Sequence, residues 1–106
     1  MLIYHLALAS DWDDAVAAGE YRVSTIGQTI DEVGFIHASR EDQLEATAAR
    51  FYADLGVPLV LLVLDRDRLR AGGVPVVDDP VGEDTFPHLY AALPVALVDE
   101  ARTAEG

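Results

Sequence analysis

The segment from Val57 to Leu64 constrains this chain most. Its core, Leu59 to Leu64, is apolar on both faces of an extended strand, and such a strand is buried on both sides, at the centre of a sheet. The run is too short to cross a bilayer, and no basic segment leads into an apolar stretch at the start of the chain. No membrane role is expected, and the reading is cytoplasmic.

A central strand needs partners, and the alternation of side chains supplies them. Leu2 to Leu8 reads as a buried first strand with Ile3, His5 and Ala7 on one face. Ser10 with Asp13 fits an N-cap pattern, so a helix is expected to run to about Ala18 and to stop at Gly19. Glu20 to Ser24 forms a short strand and Thr25 to Val33 a polar loop. Gly34 to Ser39 is a second compact strand, with Phe35, His37 and Ser39 on one face. Ser39 before Arg40, Glu41 and Asp42 repeats the serine-plus-acid signature of a helix start. Leu44, Ala48, Phe51 and Tyr52 follow at helical spacing, up to Gly56 and Pro58.

Beyond the central strand, Asp65 to Arg70 closes it with charge, Gly72 and Gly73 mark a turn, and Val74 to Val77 is a short strand. Asp78 to Asp84, with Pro80 and Gly82, reads as an acidic loop. Thr85 to Leu89 and Val95 to Val98 are the last strands, and Thr103 to Gly106 is expected to fray. The chain has no repeat and no linker, which gives a single domain over residues 1–106: α+β, with six or seven strands and two main helices.

A chain of 106 residues at this mass buries roughly 65 % of its unfolded surface, enough for one core. With no cysteine, a disulfide framework, a thiolate nucleophile and a cysteine-ligated metal are all ruled out. The formal net charge is −12, and all seven basic residues are arginines. Extended nucleic acid is therefore not expected as a partner, because duplex binding needs clustered cations, and Arg66, Arg68 and Arg70 are interleaved with Asp65 and Asp67. A small nucleotide in a pocket remains compatible with this acidic chain. The oligomeric state is left open.

The chemistry-bearing residues are the three histidines, His5, His37 and His88, each inside or beside an apolar strand. A titratable imidazole there loses solvation unless a partner satisfies it. One such residue is readily a core histidine bonded to a carbonyl; three in similar settings point to a shared site. His37 and Ser39 share a strand face about 7 Å apart, close enough for a ligand hydroxyl or phosphate to bridge. Ser39 has its helix-start position as a competing explanation. Three imidazoles also suit a transition metal, but no His-x-His or His-x-x-x-His spacing supports it, and no metal is expected. No Gly-x-Ser-x-Gly elbow is present for a serine hydrolase.

In chain order, Ile3-Tyr4-His5, Trp12 with Ala15, Gly19 and Tyr21, the segment Gly34 to Ser39, Gln43, Phe51-Tyr52, Leu61 to Asp65 and Phe86-Pro87-His88-Leu89-Tyr90 resemble a family of small bacterial proteins known as domain of unknown function 952. That family in turn looks similar to the ADP-ribosyltransferase fold, in the branch that includes RNA 2'-phosphotransferases. There, strands reading like Tyr-His-Gly-Thr and His-Leu-Ser bring two histidines to an NAD site. Tyr4-His5-Leu6-Ala7 and Ile36-His37-Ala38-Ser39 stand in those positions. The resemblance implies a small split antiparallel β-sheet domain of ADP-ribosyltransferase-like fold and NAD as cofactor. It also implies His5, Tyr4 and Ser39 as cofactor-binding residues and His37 as a catalytic one; His88, which the two-histidine relatives need not have, is the second catalytic candidate because an imidazole can serve as general acid or base. Leu6 stands where relatives have glycine, the phosphate-binding arginines are missing, and the late glutamates Glu83 and Glu100 sit in no clear motif. Three functions therefore stay open: an ADP-ribosyl or related group transferase, a non-catalytic nucleotide or small-molecule binding module, and a histidine-ligated metal enzyme.

Overall fold

The computed structural model describes residues 1–25, 27–51 and 56–105. At its centre lies β6 (Pro58–Asp65), paired antiparallel with β1 (Leu2–Leu8) on one side and β10 (Val98–Glu105) on the other. The register sets Ile3 opposite Leu64, His5 opposite Leu62 and Ala101 opposite Leu62, so β6 is flanked along its length, as its two apolar faces require.

A second three-stranded antiparallel sheet has the order β5 (Ile36–His37), β8 (Asp84–Leu89), β7 (Val76–Val81). Among the described residues one backbone bridge joins the two sheets: Tyr4 and Ser39 exchange both N–H···O bonds, each 2.8 Å. Two further pairs are small: β2 (Glu20–Tyr21) with β9 (Leu93–Pro94), and β3 (Val23–Thr25) with β4 (Gln28–Thr29). Among the described residues four α-helices complete an α+β fold built of several small antiparallel sheets: α1 (Ala9–Ala18), α2 (Ile30–Val33), α3 (Glu41–Phe51) and α4 (Arg66–Ala71). The main core gathers Ile3, Tyr21, Ile36, Leu62, Leu64, Leu69, Leu89 and Leu93; a smaller cluster of Leu6 and Leu59 packs under Leu44 and Ala48 of α3. Among the described residues no helix is long and apolar enough to cross a membrane.

Several local expectations change. Ser10 does not cap α1. β1 runs straight to Leu8, which takes the extended cap conformation, so the helix begins at Ala9 and Ser10 lies exposed inside it. Gly19 does end α1, at φ 91°, where a side chain would be strained. Ser39 does not cap α3 either: the Gln43 side chain accepts the Arg40 N–H at 3.0 Å, and Ser39 Oγ bonds Thr47 Oγ1 at 3.0 Å. The supposed loop Thr25 to Val33 holds β4 and α2, where Thr29 and Glu32 form a reciprocal capping box.

Asp65 caps a true helix, accepting from the Asp67 and Arg68 amides at 2.9 and 3.2 Å. The acidic stretch Asp78 to Asp84 is not a loop but most of β7 with a tight turn at Gly82-Glu83 into β8. Its carboxylates and Pro80 are tolerated because β7 is an edge strand, paired only with β8. Val95–Leu97 is a single 3-10 turn rather than a strand, and the expected fray from Thr103 is instead β10, paired with β6 through Glu105. Tyr52, expected on the second helix, lies outside the described residues.

Candidate functional site

The site is built on the second sheet, where the register makes His37 of β5 and His88 of β8 direct partners. Directly paired residues face the same side of a sheet, and here the rings meet: His37 Nδ1 lies 3.2 Å from His88 Nε2. On the other side of β8, Val77 pairs with His88 and Asp79 with Phe86, so Asp79 stands diagonal to His88 on that same face. Its Oδ2 accepts from His88 Nδ1 at 2.9 Å, and the Tyr90 hydroxyl donates to the same oxygen. Tyr90, first, and then His88 hold the Asp79 carboxyl below its ordinary range. Phe35 stacks on His88 with ring centroids 3.9 Å apart and an interplanar angle of 11°. Its placement follows from Gly34, whose φ of 99° ends α2 and turns the chain into β5.

These bonds assign the protons. A carboxylate only accepts, so His88 carries its proton on Nδ1, and in the neutral ring Nε2 accepts from His37 Nδ1–H. The result is a directed chain, His37 to His88 to Asp79. Burial, then the nearby His88, His5 and Arg50, push His37 down to about 4, so it is neutral at pH 7.

His5 lies behind this chain, bonded to the backbone of His37 rather than to its ring. It is 3 % exposed, with Nδ1 2.5 Å from the backbone oxygen of His37 and Nε2 2.8 Å from the Tyr21 hydroxyl. The carbonyl fixes the proton on Nδ1, and Nε2 accepts from Tyr21. Burial brings His5 down to about 4, partly opposed by the bond to the His37 carbonyl.

A cavity of about 200 Å³ opens over His37 and His88, with Ser24, Thr25 and Gln28 on one side and Val33, Phe35 and Val81 forming apolar walls. Of the five residues expected at a site, His37 and His88 line this cavity. His5 lies behind them, Tyr4 lines a separate hollow beside Arg40 and Glu41, and Ser39 is buried against Thr47. The structure adds Asp79, Tyr90, Tyr21 and Ser24, which the sequence did not single out for chemistry. Asp79 was hidden by its apparent loop; the alternation Val77, Asp79, Val81 in a hairpin was the available signal. Among the described residues no three His, Asp or Glu side chains form a metal-holding cluster.

A small α+β domain with a histidine-carboxylate chain running through a buried His88 and opening on a cavity is the class that fold and site define. Within it, the chain belongs to the family described as protein of unknown function (DUF952), whose model matches residues 6–101. It is similar to the crystal structure of protein CC0527 from Caulobacter crescentus, with 31 % identity and a TM-score of 0.84 over 99 % of this chain and 87 % of that one. The solution NMR structure of CC0527 gives 31 % identity and a TM-score of 0.66, covering 94 % and 81 %. No curated protein matches the chain.

Proposed function

We propose that the cavity over His37 binds a nucleotide-derived small molecule, with NAD as the candidate, and that the histidine chain moves a proton there during ribosyl-type group transfer. The observation that carries this reading is the directed chain from His37 through His88 to Asp79, ending at a cavity. His37, neutral at pH 7, takes up the proton of an attacking hydroxyl while its Nδ1–H passes to His88 Nε2. The imidazolium so formed is held against the Asp79 carboxylate. The new bond is from the acceptor oxygen to the ribose carbon, and the base leaves.

The cavity fits one end of a dinucleotide rather than the whole. Its volume lies below the roughly 300–1,000 Å³ of drug-sized sites, and Leu6, where ADP-ribosyltransferase relatives have glycine, is packed into the core with Leu59. The ADP-ribosyltransferase-like reading of the fold, and with it a cytoplasmic setting, belongs to this same proposal. A non-catalytic binding module is the second reading, favoured by the internal use of both His5 nitrogens and of the Ser39 hydroxyl.

Calorimetric titration with NAD and ADP-ribose tests the proposal, since a ligand at 100 times its Kd adds about 2.7 kcal/mol of stability. His88→Asn should keep ligand affinity and lower turnover by about 10²- to 10⁴-fold. Binding without turnover in the natural protein selects the non-catalytic reading, and no heat with either ligand refutes the nucleotide reading.

A further inference from the structure

Ser24 sits in the middle of β3, 1 % exposed, at the wall of the cavity that holds His37 and His88. Its Oγ has no hydrogen-bond partner among the described residues. A buried hydroxyl left unpaired destabilises a fold, so its presence at a cavity wall calls for a partner that enters from outside. Beside it, Thr25 Oγ1 donates to Gln28 Oε1 at 3.0 Å, which leaves the Gln28 amide nitrogen as a donor at the rim.

The charge of the cavity narrows what that partner is. None of the lining side chains is Asp, Glu or Arg, and His37, held near 4, is uncharged at pH 7. Arg50, whose charge reaches His37, is exposed on α3 and outside the lining. A phosphate entering here would lose water against apolar walls with no arginine among the lining residues, in a chain of net charge −12. A sugar hydroxyl or base carbonyl loses far less solvation, and a single donor compensates it.

We infer that Ser24 is a ligand-contacting residue and that the end of the ligand entering the cavity is uncharged, a ribose or base group, with any phosphate left outside. This rests on reading the cavity as the nucleotide site, and it fixes which way round the nucleotide lies.

The test is an NMR titration of the whole chain, and of Ser24→Ala, with uridine, adenosine, inorganic phosphate and ADP-ribose, together with urea midpoints of both proteins. The nucleosides should shift the His37, His88 and Ser24 signals, and phosphate should not. Ser24→Ala should weaken nucleoside binding about tenfold, the usual effect of one lost hydrogen bond, while its urea midpoint rises. A lowered midpoint would make the hydroxyl a structural one and overturn the inference, as would phosphate binding in place of nucleosides. ADP-ribose binding that Ser24→Ala leaves untouched would sink the inference and keep the nucleotide site. No response to any of the four in the natural protein would remove both.

Discussion

Acid should unfold this protein through His5 well before its carboxylates titrate. The ring is buried and uses its Nδ1 proton on the His37 carbonyl and its Nε2 lone pair on Tyr21, so the fold accommodates only the neutral form. Its value falls from 6.5 to about 4 on folding. Between those values the unfolded chain binds more protons, so stability rises with pH; the contribution is fully present above 6.5 and is lost as pH falls toward 4. The shift corresponds to about 3 kcal/mol in all, and to about 2 kcal/mol of it between pH 7 and pH 5. His37 acts in the same direction. Urea midpoints at pH 7, 6 and 5 measure the effect, which at m of about 1–2 kcal/mol/M is a shift on the order of 1 M. His5→Asn keeps a donor toward the His37 carbonyl but does not titrate. It should start lower at pH 7 and fall less steeply, and parallel curves for the two proteins would refute the reasoning.

Asp79→Asn removes the carboxylate that holds a charged His88, so any turnover found should drop about 10²-fold or more while ligand affinity changes little. Kinetics and calorimetry on one preparation separate the two effects. Thr29→Ala breaks the capping box of α2 and should cost about 1 kcal/mol, read as a lowered denaturation midpoint, with local loosening at Gly34 and Phe35 visible in amide exchange.

The centre of the fold was legible because its evidence is local: six consecutive apolar residues in β6 leave no polar face, and the short β1 alternates around His5. The edges were not legible. β7 carries Asp78, Asp79 and Pro80 because an outer strand must be hydrated and poor at pairing, which is the same composition that marks a loop. The serines misled for a related reason. Ser10 and Ser39 stand where caps stand, but strand ends and a buried Thr47 decided what their neighbours and hydroxyls do. At the site, His37 and His88 were visible as imidazoles in apolar strands. Their direct pairing across 51 residues, and the role of Asp79, came only from the register of β5 and β8.

The seam between the sheets gives the molecule an uneven mechanical character. Along β6 the ladder to β1 is continuous and the one to β10 is interrupted once, between Val98 and Glu100, whereas β1 is stitched to β5 and the segment after it by the Tyr4–Ser39 pair and the adjoining His5–His37 bond. Parting the halves therefore breaks few backbone bonds but must split the core shared by Ile3, Leu64, Ile36 and Leu89 and the Arg66–Asp78 pair, so the Tyr4 and Ser39 amides should exchange together, as one opening unit. Because His37 belongs to both the seam and the cavity, that opening would also pull the proton chain out of line.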